Sequence, residues 1–196
     1  MKISSKLSLA ALSLTAALMP SPAFAHPGGD HVHGLLAGLE HPLFGVDHLL
    51  AMVAIGMIAA RSGRIGFLVV PPAFVLAMMA GAAFGIAGVG LPSIETGIAL
   101  SLVVFGAMVA LARPLPLAAT ASLAAIFGLF HGSAHGLEIP ESASGLAYAA
   151  GFVVATSALH AAGALSALKL AGRSGMVRAA GAATSLVGMA MVSQVF

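Results

Sequence analysis

The sequence predicts an all-α, polytopic membrane protein, with six transmembrane helices following a cleaved signal peptide. Three observations carry that expectation. Only 7% of the 196 residues are charged and 60% are hydrophobic, with a mean hydropathy of +1.07, whereas a soluble domain carries about 25% charged residues. The apolar residues fall into runs of the roughly 20 that a bilayer-spanning helix needs. The basic side chains sit in alternate breaks between those runs.

Residues 1–25 read as the signal peptide: Lys2 and Lys6 form a basic start, LSLAALSLTAALM an apolar middle, and Ala23-Phe24-Ala25 a small-residue cleavage site after Pro20 and Pro22. Cleavage leaves a His-rich tail, residues 26–40, and a transmembrane domain, residues 41–196. Six spans are expected at 42–60, 66–89, 94–112, 115–137, 143–168 and 177–195, divided by the breaks RSGR, GVGLPS, RPLP, EIPES and KLAGRSGMVR. Beyond the signal region, Arg61, Arg64, Arg113, Lys169, Arg173 and Arg178 all fall in the first, third and fifth connections. The tail and the other connections carry Asp30, Glu95, Glu138 and Glu141. The positive-inside rule makes the basic connections cytoplasmic and both mature termini periplasmic, in a bacterial inner membrane.

That placement accounts for the pI near 9.5, so a lipid bilayer and not nucleic acid is the expected partner. The chain has no cysteine, which excludes disulfides, thiolate metal sites and a cysteine nucleophile. No prosthetic group is expected. Pro71 and Pro72 are expected to kink or delay the second span. Gly128, Gly132 and Gly136 recur every fourth residue in the fourth span, a smooth stripe against which another helix can pack closely. Gly81 with Gly85 suggests the same in the second.

Ionisable side chains inside a span cost at least about 2.5 kcal/mol at the bilayer centre and mark function by default. Two clusters stand out. In FHGSAHGLE, residues 130–138, His131, His135 and Glu138 lie within roughly 60° of one another on one helical face. In HPLFGVDHLLAM, residues 41–52, His41 and His48 are expected to be superposed on one continuous helix, with Asp47 at the side to ligate or to orient a ligand. The first span runs inward and the fourth outward, so both clusters are expected in the same outer half of the membrane. Nitrogen and oxygen donors without sulfur suit Ni²⁺, Co²⁺ and Zn²⁺, and affinity order does not separate them. Weaker candidates are His26, Asp30, His31 and His33 in the tail, as a capture segment, and His160, deep in the fifth span, as an inner relay or a packing residue.

At these motifs the chain resembles the HupE/UreJ family of nickel/cobalt permeases. His41, Asp47 and His48 match the family pattern H-x5-D-H, and residues 130–138 match F-H-G-x-A-H-G-x-E. The resemblance implies uptake of Ni²⁺ or Co²⁺ for enzyme maturation, as for hydrogenase, urease or cobalamin enzymes. No ATP-binding G-x-x-x-x-G-K is present, and no enzymatic activity is expected. Rival readings are an intramembrane zinc hydrolase, in which Gly132 stands where H-E-x-x-H places its glutamate, a serine protease using Ser133 and His160, and a metal sensor that binds without transport.

Overall fold

The computed structural model describes residues 34–113, 115–137 and 145–194 with their side chains, and the helical backbone at 138 and 195. All of them belong to one compact unit, residues 31–196. The expected signal peptide, residues 1–25, lies outside the described residues, as do His26, Asp30, His31 and His33 and the side chain of Glu138.

Among the described residues all regular structure is helical. The elements are α1 (Gly34–Phe44), α2 (Val46–Arg61), α3 (Gly63–Ile86), α4 (Ile94–Leu111), α5 (Leu117–Glu138), α6 (Gly145–Lys169) and α7 (Ser174–Val195). Five of them, α3 to α7, are long and apolar enough to cross a membrane. Together α1 and α2 would make a sixth span, bent by 82°. The protein is therefore a multi-pass membrane protein. Its outward face is apolar, with Leu68, Leu76, Ile86 and Leu146 all exposed, as a lipid-facing surface requires.

Two expectations need correction. The first span is not one continuous helix over 42–60, and His41 and His48 are not stacked along it. Gly45 is extended (φ −82°, ψ 112°) and starts α2, so His41 belongs to α1 and His48 to α2. The absence of a Cβ at Gly45 matters here: one would stand 2.9 Å from Asp47 Oδ1 and 3.3 Å from His48 Nδ1. Because α1 begins at Gly34, the last part of the stretch expected as tail is helical. Of the two effects expected of Pro71 and Pro72, a delayed start is excluded: the helix begins at Gly63 and continues through both.

Helix pairing follows the glycines. The closest pairs are α3 with α5, α4 with α7, and α6 with both α1 and α2. On α5, Cβ atoms at Gly132 and Gly136 would meet the carbonyl oxygens of Met78 and Ala82. On α3, those at Gly81 and Gly85 would meet the carbonyls of Leu129 and Ser133. The two glycine stripes seen in the sequence thus pack on each other, backbone to backbone. Gly106 on α4 and Gly181 on α7 face each other likewise, and Ser185 Oγ donates to the Val103 carbonyl at 2.7 Å. At the end of α2, Arg61 Nη1 donates to the Val109 carbonyl of α4 at 2.9 Å. Short α2 lies inside this frame, with Ala51, Met52 and Ile55 buried in the common core.

Candidate metal-binding site

The bend at Gly45 and the stripe on α5 bring four imidazoles together. His135 of α5 lies between the two halves of the broken span. Its ring centroid is 4.7 Å from that of His41 on α1 and 4.1 Å from that of His48 on α2. His48 also meets His131, one turn along α5 from His135, at 4.5 Å. His48, His131 and His135 are buried, and His41 is half-buried. Tyr148 and Phe152 of α6 wall one end, with Phe152 at 4.2 Å from His135 and Tyr148 at 5.9 Å from His41. Phe74 of α3 closes the other end, 5.6 Å from His131.

Hydrogen bonds fix which nitrogens remain free at two of these rings. His48 Nδ1 lies 3.1 Å from Asp47 Oδ1. An ionised carboxylate only accepts, so Nδ1–H donates, and in the neutral ring Nε2 carries the lone pair. The His48 backbone N–H donates to the same oxygen at 2.8 Å. Asp47 therefore holds the His48 ring and backbone through one oxygen.

At His131, Nε2 is 2.9 Å from Ser101 Oγ of α4. The Ser101 hydroxyl has one proton, and it is committed to the Ile98 carbonyl at 2.6 Å. Hence His131 Nε2–H donates to Ser101, and Nδ1 carries the lone pair. Both lone-pair atoms, His48 Nε2 and His131 Nδ1, are buried and have no hydrogen-bond partner among the described residues. Each such orphan costs about 1–3 kcal/mol, which a site tolerates when a ligand satisfies it.

Sequence reasoning missed Ser101. It is a single serine in an apolar helix, 30 residues from its partner in the chain, and no spacing rule links the two. It is also fully buried, and that buried hydroxyl among apolar neighbours is the one signal that could have found it. Phe130 of the second motif has a packing role, its ring lying against Gly97 of α4. His160 of α6 does not join the four rings; its ring neighbour is Phe74, at 5.6 Å. Among the described residues, no three histidine or carboxylate groups form a ready metal cage, because the four imidazoles pack ring against ring.

The geometry gives the hydrolytic readings no support. Ser133 Oγ has no hydrogen-bond partner among the described residues, so no base is joined to it. In the Ser101–His131 pair the histidine is the donor, the reverse of nucleophile activation. At Gly132, a side chain would meet the Met78 backbone, leaving no room for a catalytic glutamate.

The family model "HupE / UreJ protein" matches residues 14–191. A curated relative, "Protein HupE" of Rhizobium leguminosarum bv. viciae, is 43% identical over 183 residues, covering 92% of this chain and 95% of the relative. No solved structure matches. A match across nearly the whole chain, through both histidine motifs, places the protein: it belongs to the HupE/UreJ family.

Proposed function

We propose that the chain is a permease importing Ni²⁺ or Co²⁺, with Zn²⁺ as a weaker candidate, across a bacterial inner membrane. One observation carries this reading: four imidazoles from three helices meet ring to ring inside the helix bundle, two of them with ring nitrogens that have no partner among the described residues. Neutral nitrogen donors select borderline divalent metals over Mg²⁺ and Ca²⁺. Family membership supports the same reading. In it, His41, His48, His131 and His135 are the ligands, and small side-chain rotations turn their nitrogens onto the ion. Asp47 holds His48, and its negative charge offsets part of the penalty of bringing a dication into low dielectric. Glu138 adds a second carboxylate at the mouth. His26, Asp30, His31 and His33 capture metal in the periplasm, where both mature termini lie. The delivered metal serves nickel or cobalt enzyme maturation.

The test is flux into proteoliposomes containing the purified protein, with Ni²⁺, Co²⁺ and Zn²⁺ in competition, at external pH 7.5 and 5.5. Metal binds deprotonated imidazole. Protons therefore compete with the metal for the ligand nitrogens, and uptake is expected to be lower at pH 5.5 than at pH 7.5. Tight binding without flux at either pH would convert the reading to a sensor.

Ser101→Ala removes the acceptor that fixes the His131 tautomer. Partners of this kind are worth about 10–100-fold in metal affinity, and a loss in that range is expected by equilibrium dialysis with Ni²⁺. Ser101→Thr, which keeps the hydroxyl, should retain most of the affinity. Equal affinity for Ser101→Ala and the wild type would remove Ser101 from the site.

A further inference from the structure

Below Phe74 the structure holds a second group of buried, unsatisfied donors that the four-imidazole cluster does not use. His160 is 2% exposed and Thr156 is fully buried. Neither ring nitrogen of His160 nor Thr156 Oγ1 has a hydrogen-bond partner among the described residues. A buried threonine in a helix normally turns its hydroxyl onto the carbonyl one turn back, and Thr120 and Thr184 do so. Thr156 does not. It stands at i, i+4 with His160, so the two side chains share one face of α6. Two adjacent side chains with three unpaired polar atoms, at full burial, are expensive as packing residues.

Their position gives them a use. Phe74 stands 5.6 Å from both His131 and His160. One aromatic ring therefore neighbours both the cluster and the second group. Along α6 a single buried face connects them: Tyr148 and Phe152 wall the cluster, Thr156 and His160 follow, then Gly163, Ala164 and Ala167. Ala167 lines an open cavity of about 280 Å³, together with Ala60, Arg61, Ala112 and Arg178. It begins roughly 10 Å beyond His160 along the helix. The side chains between His160 and that cavity are small, and the arginines at its rim disfavour retention of a cation there, as suits an exit.

We infer that Thr156 and His160 form a second, inner station for the divalent transition metal, reached from the four-imidazole cluster past Phe74 and emptying toward the Arg61 cavity. The inference rests on the permease reading for its direction of travel. With one imidazole and one hydroxyl, both neutral, the station binds more weakly than the cluster. Passage through a membrane requires sites strong enough to enter and weak enough to leave.

Two variants test it: His160→Leu, which removes the imidazole, and Thr156→Val, which removes only the hydroxyl and keeps the shape. Purified wild-type protein titrated with Ni²⁺ alone is expected to show one tight and one weaker binding event. Each variant should keep the tight event within about twofold and weaken or lose the other. Flux into proteoliposomes should fall at least about tenfold in His160→Leu. A single binding event unaltered in both variants, or undiminished flux in His160→Leu, would overturn the station. So would loss of the tight event along with the weak one, which would make His160 a structural support of the cluster. If the wild type binds two ions and His160→Leu one, but neither supports flux, the station stands and the permease reading falls.

Discussion

Replacing His131 with leucine should reduce Ni²⁺ uptake into proteoliposomes by more than about 100-fold while leaving a folded, monodisperse protein. The imidazole is fully buried, contacts both His48 and Phe74, and is the ring whose free nitrogen the Ser101 bond determines. Loss of an outer-shell partner alone costs about 10–100-fold, so loss of the ligand itself must exceed that. Leucine is the informative replacement because alanine would leave a cavity, and truncating large side chains in a core costs about 2–5 kcal/mol. Failure to fold would then be confused with failure to bind. A His131→Leu protein that elutes like the wild type and still takes up Ni²⁺ at the wild-type rate would remove His131 from the metal path. The graded series Ser101→Thr, Ser101→Ala, His131→Leu should show progressively weaker Ni²⁺ binding, an order that a purely steric role for His131 does not predict.

Hydropathy made the helices legible. The expected spans 94–112, 115–137 and 143–168 correspond closely to α4 (Ile94–Leu111), α5 (Leu117–Glu138) and α6 (Gly145–Lys169), because exclusion of charge from lipid is a strong and local constraint. That α3 and α5 each take a close helix neighbour was legible in their glycine stripes; that they are each other's neighbour was not. Nor was the bend at Gly45. Seven residues separate His41 from His48, a spacing that one straight helix satisfies, and a lone glycine in an apolar run rarely breaks a helix. What the spacing could not show is that the two rings reach His135 from separate helices. The rings of the two histidine motifs meet in the structure, as helices of opposite direction carrying them at matched depth would allow. The atoms that matter at His48 and His131 depended on tautomers, which only the Asp47 and Ser101 contacts fix.

Gly132→Ala should be among the most damaging glycine-to-alanine changes at the described residues. In an ordinary helix interior, alanine in place of glycine is favourable by about 0.8–1 kcal/mol, so the default expectation is stabilisation. At Gly132 the added Cβ would run into the Met78 carbonyl oxygen of α3, with the Met78 carbonyl carbon and Cα also inside 3 Å. These are backbone atoms of a packed helix and have no rotamer to yield, so α3 and α5 must move apart. Overpacking costs about 1–3 kcal/mol even where side chains can adjust; here it should exceed the gain in helix propensity and reverse the sign. The damage reaches the site as well, because His131 adjoins Gly132, and its 2.9 Å contact with Ser101 and its position against His48 depend on where α5 lies. Gly175→Ala supplies the control: no heavy atom outside its own helix backbone and chain neighbours lies within 4 Å of a Cβ there, so its stability should stay within about 0.5 kcal/mol of wild type or rise slightly. The measurement is the fraction of each protein remaining monodisperse in detergent after heating through a temperature series, followed by Ni²⁺ binding on the folded fraction. Gly132→Ala should lose its fold at a lower temperature than Gly175→Ala and bind Ni²⁺ more weakly. Equal thermal curves for the two variants would show that the α3–α5 interface has slack, and that the close backbone contact does not hold the histidines in place.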